Sequence, residues 1–145
     1  MFNVVGYEAL DEDQVVALIK AVDREAIPDL EIIAKAVLIK DASSVVGMVS
    51  YGAIGDMAVV RYFLYDARIS GTDLIVSLFF ELYKKAYSEG IKTLVAGSPN
   101  ENTNELFQML GFAPVVEELP DEVKMQVGED MQVMMINLNR PFEKG

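Results

Sequence analysis

The sequence predicts one α/β domain over residues 1–145, with a mixed central sheet of six to seven strands flanked by helices. Three observations predict it. Residues 37–65 hold three β-branched or apolar runs parted by short turn signals. Residues 73–89 repeat apolar side chains at helical spacing. The rest alternates strand-like with helix-like segments, without repeats, low-complexity tracts or linkers.

Residues 1–8 read as a short strand. Asp11, Glu12, Asp13 and Gln14 then supply acidic N-cap and first-turn residues for a helix carrying Val15, Leu18, Ile19 and Val22. Pro28 closes that region, and residues 30–36 form a second, short helical stretch. Val37, Leu38, Ile39 and Lys40 make a strand that turns at Asp41, Ala42 and Ser43. The chain returns over residues 45–54, turns again at Gly55 and Asp56, and continues as a long strand over 57–65. From residue 73, Leu74, Ile75, Leu78, Phe79, Leu82, Tyr83 and Ala86 mark one helix face, with Gly90 where a C-terminal cap belongs. Residues 91–96 are a strand, 101–110 a short helix capped by Gly111, and 131–138 a final strand. The acidic stretch 117–130, with Pro120 and Gly128, reads as a solvated loop or hairpin insertion.

Composition narrows the chemistry. Hydrophobic residues make up 52% and charged residues 24%, a globular balance, and no apolar run approaches the roughly 20 residues a membrane-spanning helix needs. No signal or transit segment is visible, which leads us to expect a cytoplasmic protein. Neither cysteine nor histidine occurs, so disulfides, Cys nucleophiles and His bases are excluded, and no metal site is expected. A net charge of −11 argues against nucleic acid, whose binders concentrate Lys and Arg, and suits a cationic small substrate.

The segment Arg68-Ile69-Ser70-Gly71-Thr72-Asp73 carries the functional reading. A strand gives way here to a glycine-containing turn that opens a helix, where free backbone N–H groups meet an anion. Ser70 and Asp73 also have the spacing of a capping box, which would satisfy those N–H groups without a ligand, and both readings stand at this point.

Arg68 and Gly71 match the pyrophosphate loop Gln/Arg-x-x-Gly-x-Gly/Ala of the GNAT superfamily of acyl-CoA-dependent N-acyltransferases. Asn100, Leu106, Gly111 and Phe112 match its later motif, Asn-x-x-Ala-x-x-Leu-Tyr-x-x-x-Gly-Phe, in unbroken register. One helix and one strand separate the two motifs, as in that family. Over roughly residues 33–115 the sequence thus resembles a divergent GNAT member.

The resemblance implies the GNAT fold and transfer of an acyl group, acetyl being expected, from acetyl-CoA to a small-molecule or peptide amine. It implies that backbone groups of Phe63 and Tyr65 bind pantetheine. It gives the pyrophosphate to Arg68 and the N–H groups of Ile69, Ser70, Gly71, Thr72 and Asp73, and the cofactor arm to Asn100 and Phe107. Two residues depart from the pattern. Asp73 places a carboxylate where the family has Gly or Ala, and Phe107 replaces a tyrosine that protonates the departing thiolate. Both allow an alternative role as a catalytically impaired CoA-binding sensor or protein-interaction module. Tyr51, Tyr62 and Ser98 are candidate acceptor-cleft residues, although tyrosines in apolar strands are usually core, and Met125, Met131, Met134 and Met135 could line an acyl or partner groove, although methionine is more often core filler. No catalytic base stands out. A homodimer is a further expectation, paired through the helix at 73–89 or, provided it lies at a sheet edge, through the strand at 131–138.

Overall fold

A computed structural model describes residues 1–138. Residues 139–145 of the expected domain lie outside the described residues. In chain order the elements are β1 (Phe2–Gly6), α1 (Glu12–Val22), α2 (Leu30–Ile33), β2 (Val37–Asp41), β3 (Ser44–Ile54), β4 (Met57–Tyr65) and α3 (Asp73–Ser88). There follow β5 (Thr93–Ser98), α4 (Glu101–Met109), β6 (Ala113–Pro114), α5 (Asp121–Val127) and β7 (Gln132–Asn137). The strands form one seven-stranded sheet in the order β1-β2-β3-β4-β5-β7-β6. β1, β2 and β3 pair antiparallel, β4 and β5 parallel, and β7 antiparallel with both β5 and β6. The expected mixed sheet with helices is therefore present. None of the described helices is long and apolar enough to cross a membrane.

Chain contacts group into two compact units, Met1–Tyr51 with Arg61–Leu82, and Gly52–Val60 with the chain from Tyr83 onward. In the first unit, α1 buries Val15 and Ile19, α2 buries Ile33, and these pack with Ala36, Leu38, Val45 and Met48. The spacing of four between Val15 and Ile19 puts both on one helix face, which is why α1 forms here. Asp11, expected among the acidic residues that start this helix, is its N-cap and is fully buried. Its Oδ2 accepts the Glu8 N–H at 3.0 Å, and Oδ1 lies 2.6 Å from Lys40 Nζ on β2, without an aligned hydrogen bond.

In the second unit Val59, Val95, Leu119, Val123 and Val127 form the core. The stretch 117–130 is not a loop or hairpin insertion, because it contains α5. Val123 and Val127 recur at a spacing of four and are buried, Asp121 and Glu122 occupy the first turn, and Gly128 ends the helix at φ 93°. Its charges lie on the exposed face, where Lys124 pairs with Glu118. β7 is not an edge strand either. β5 lines one side from Thr93 to Ser98, and on the other side the two residues of β6 pair with Met134 and Met135.

Candidate functional site

In the first unit β4 leads into the turn and α3. Phe63 is half-buried, its ring edge-on to Phe79 at 4.9 Å, with Tyr65 5.6 Å away and exposed. Ile69 anchors the turn as its buried residue, while Arg68, Ser70, Gly71, Thr72 and Asp73 are exposed. Asp66 shapes the entry: its Oδ1 accepts the Arg68 N–H at 2.9 Å, and its C=O accepts that of Ile69 at 3.1 Å. The Arg68 guanidinium stays near, with Nε 3.8 Å from Asp66 Oδ2.

Gly71 adopts φ 77°, a left-handed conformation that glycine takes without a Cβ penalty. Beyond it the Thr72 carbonyl accepts the Val76 N–H at 2.9 Å, which makes Thr72 the N-cap of α3 and Asp73 its first helical residue. The capping box from Ser70 to Asp73 is therefore not formed, since it requires Ser70 as the N-cap. The N–H groups of residues 71–75 have no hydrogen-bond partner among the described residues. They form an open row of donors, a candidate anion cradle, at the positive end of a 16-residue helix. The structure thus brings Phe63, Tyr65, Arg68, Ile69, Ser70, Gly71, Thr72 and Asp73 together in one unit.

Close approach of β3 holds this turn in place. A Cβ added at Gly47 would lie 3.1 Å from Ile39 Cδ1, 3.2 Å from Ile69 Cδ1 and 3.3 Å from Tyr65 Cβ. We expect Gly47→Val to cost about 1–3 kcal/mol by overpacking, read in urea unfolding, and to displace the side chains that anchor the cradle. An unchanged urea midpoint would show that β3 and the turn are less tightly coupled.

Sequence reasoning missed a second feature of β4. Tyr62 has φ 55° in mid-strand, a left-handed conformation costing about 1–3 kcal/mol for such a residue. Its hydroxyl accepts the Asp29 N–H at 3.0 Å, and its ring carries the Arg61 guanidinium at 5.4 Å. Tyr51 is fully buried, with Lys35 Nζ 5.2 Å above its ring. These contacts give both tyrosines structural roles.

The β4–β5 ladder in the second unit comprises Met57–Val59 paired with Thr93–Val95, while β5 continues to Ser98 along β7. Asn100 is the N-cap of α4, its side chain accepting the Thr103 N–H at 2.9 Å. Ser98, nearly fully buried, donates its hydroxyl to the Asn100 carbonyl at 3.1 Å. A cleft of about 290 Å³ opens at this junction, lined by Asn100, Asn104, Asp130 and Gln132 among others. Asn104 Oδ1 there is buried without a hydrogen-bond partner. Phe107 is buried, packing its ring 5.1 Å from that of Phe112. Tyr83 donates to the Leu110 carbonyl at 2.8 Å, and burial pushes its phenol well above the usual range, so it remains protonated. No group of acidic residues suited to holding a metal occurs among the described residues.

Comparison with solved structures identifies this architecture. The chain superposes on N-acetylglutamate synthase from Neisseria gonorrhoeae, complexed with coenzyme A and N-acetyl-glutamate, at a TM-score of 0.78 and 18% identity. The chain has the GNAT fold. That superposition covers 97% of this chain and 36% of the synthase, so the chain spans about a third of that protein's length. A GNAT-family acetyltransferase from Staphylococcus aureus Mu50 matches at a TM-score of 0.73 and 12% identity, over 95% of this chain and 99% of that one. An aminoglycoside 6'-N-acetyltransferase complexed with coenzyme A matches at 0.72 and 16%, over 94% and 97%. No family model and no curated protein matches the sequence. The GNAT likeness is one of backbone path.

Proposed function

We propose that the chain is an acyl-CoA-dependent N-acyltransferase, with acetyl-CoA as cosubstrate and a small-molecule or peptide amine as acceptor. The observation that carries this reading is the uncapped row of N–H groups at residues 71–75, opened by Gly71 and flanked by Arg68. Such donors suit a pyrophosphate, and they belong to a chain with the GNAT fold. Backbone groups of Phe63 and Tyr65 are assigned to pantetheine. Asn100 and Phe107 are assigned to the cofactor arm, although the Asn100 side chain already accepts a hydrogen bond as a helix cap.

In the reaction the neutral amine nitrogen attacks the thioester carbon. A C–N bond forms, the C–S bond breaks, and the proton lost by nitrogen balances the thiolate released as thiol. The chain contributes chiefly by holding thioester and amine together, which raises their effective concentration. Thiol release from acetyl-CoA on addition of primary amines tests the reading. Release that depends on both substrates is expected, and none with any amine would overturn transfer.

Asp73 puts an exposed carboxylate at the first residue of α3. At about 4 Å in water a like-charge contact costs on the order of 1 kcal/mol. Asp73→Asn is therefore expected to tighten acetyl-CoA binding roughly 5-fold at low ionic strength, with the gain shrinking as salt is added. Weaker binding in calorimetry would show instead that the carboxylate supports the cradle.

Phe107 favours a second reading, a GNAT-fold domain that senses coenzyme A without transfer, since its ring has no proton to give. Saturable binding without thiol release distinguishes the two.

A further inference from the structure

Arg61 and Tyr62 are adjacent on β4, and in a regular strand their side chains point to opposite faces. The left-handed φ of 55° at Tyr62 breaks that alternation, and the Arg61 guanidinium lies 5.4 Å from the Tyr62 ring centroid. Both side chains therefore lie on one side of β4. That side is the one on which Tyr62 packs with the α1 and α2 core and binds the Asp29 N–H. The strain is maintained by contacts at the ring and at the hydroxyl, as expected where a conformation serves a site.

Arg61 is half-buried and forms no ion pair among the described residues. In a chain with 23 acidic and 12 basic side chains, such a cation stands out. Tyr62 binds Asp29 through the latter's backbone N–H, and Oδ1 of Asp29 is engaged in accepting the Glu31 and Ile32 N–H groups as the cap of α2. A guanidinium with one face on an aromatic ring keeps its N–H edge for a planar, bidentate anion.

We propose that Arg61 binds the carboxylate of the acceptor, so that the acceptor is an amino acid rather than a polyamine or a simple alkyl amine. This rests on the acyltransfer reading. The test measures thiol release from acetyl-CoA with free L-amino acids and with their α-carboxamides, in the wild-type protein and in Arg61→Gln and Arg61→Lys. Binding of acetyl-CoA and thermal stabilisation by N-acetyl amino acids in the absence of coenzyme A are measured in parallel.

The acids are expected to turn over in preference to the amides. Arg61→Gln should raise the acceptor KM about 10–100-fold with acetyl-CoA binding unchanged, and Arg61→Lys should restore only part. Equal use of acids and amides, or an acceptor KM indifferent to Arg61→Gln, would overturn the proposal. If acetyl-CoA does not bind, stabilisation by N-acetyl amino acids that is lost in Arg61→Gln upholds the carboxylate site and overturns transfer alone. No Arg61-dependent stabilisation in that case overturns both. Melting of the ligand-free variants shows whether Arg61→Gln folds, and Arg61→Lys supplies the same comparison if it does not.

Discussion

If the chain transfers acyl groups as proposed, Phe107→Tyr is expected to raise kcat about 10²-fold or more, because the resemblance puts this position beside the leaving thiolate and tyrosine would supply the proton donor that phenylalanine lacks. A positioned general acid typically contributes about 10²–10⁴-fold. A thiol with a pKa near 8.5 leaves tolerably unaided, which sets the expectation at the lower end. The new hydroxyl acts only as the C–S bond breaks, so the KM for acetyl-CoA should stay nearly constant. Phe107 is only 3% exposed, and without cofactor the added hydroxyl needs a partner in a packed aromatic site. The ligand-free variant should lose about 1–3 kcal/mol, read in urea unfolding. An unchanged kcat with intact folding would show that thiolate protonation is not limiting.

Lys40→Met is expected to destabilise the chain by about 3–5 kcal/mol, the typical cost of stranding one member of a buried ion pair. Asp11 is fully buried, and Lys40 is itself mostly shielded, with 18% of its side chain exposed. Without the cation, Asp11 keeps only the Glu8 N–H as a hydrogen-bond partner among the described residues. Methionine preserves the apolar stem, so urea unfolding isolates the charge. A loss below about 1 kcal/mol would mean that water screens this pair as it does an exposed one.

The parts of this protein visible in its sequence are those set by local spacing. α3 follows from Ile75, Leu78, Phe79, Leu82 and Ala86 on one face, all buried in the structure. The turn at Gly71 follows from a glycine between a strand and a helix, and the cap at Asn100 follows from an Asn opening a helix. Features that depend on distant partners were hidden. Asp11 resembles any acid at a helix start until β2 brings Lys40 to it. α5 was obscured because its charges outnumber the two buried valines that define its inner face. Tyr62 has high strand propensity, so nothing local announces its left-handed backbone, and the Arg61 contact exists only because of that conformation. At the start of α3, spacing allowed a capping box at Ser70, and only the observed N-cap at Thr72 shows that the donors remain open.

The proposed function stands on the open N–H row at the start of α3, and isothermal titration of the purified protein with acetyl-CoA is its direct test. Saturable binding in the micromolar range is expected, weakened as salt rises because part of the attraction is between pyrophosphate and the Arg68 side of the turn. An absence of heat at millimolar acetyl-CoA would contradict the account and leave a GNAT fold whose cradle serves a different anion.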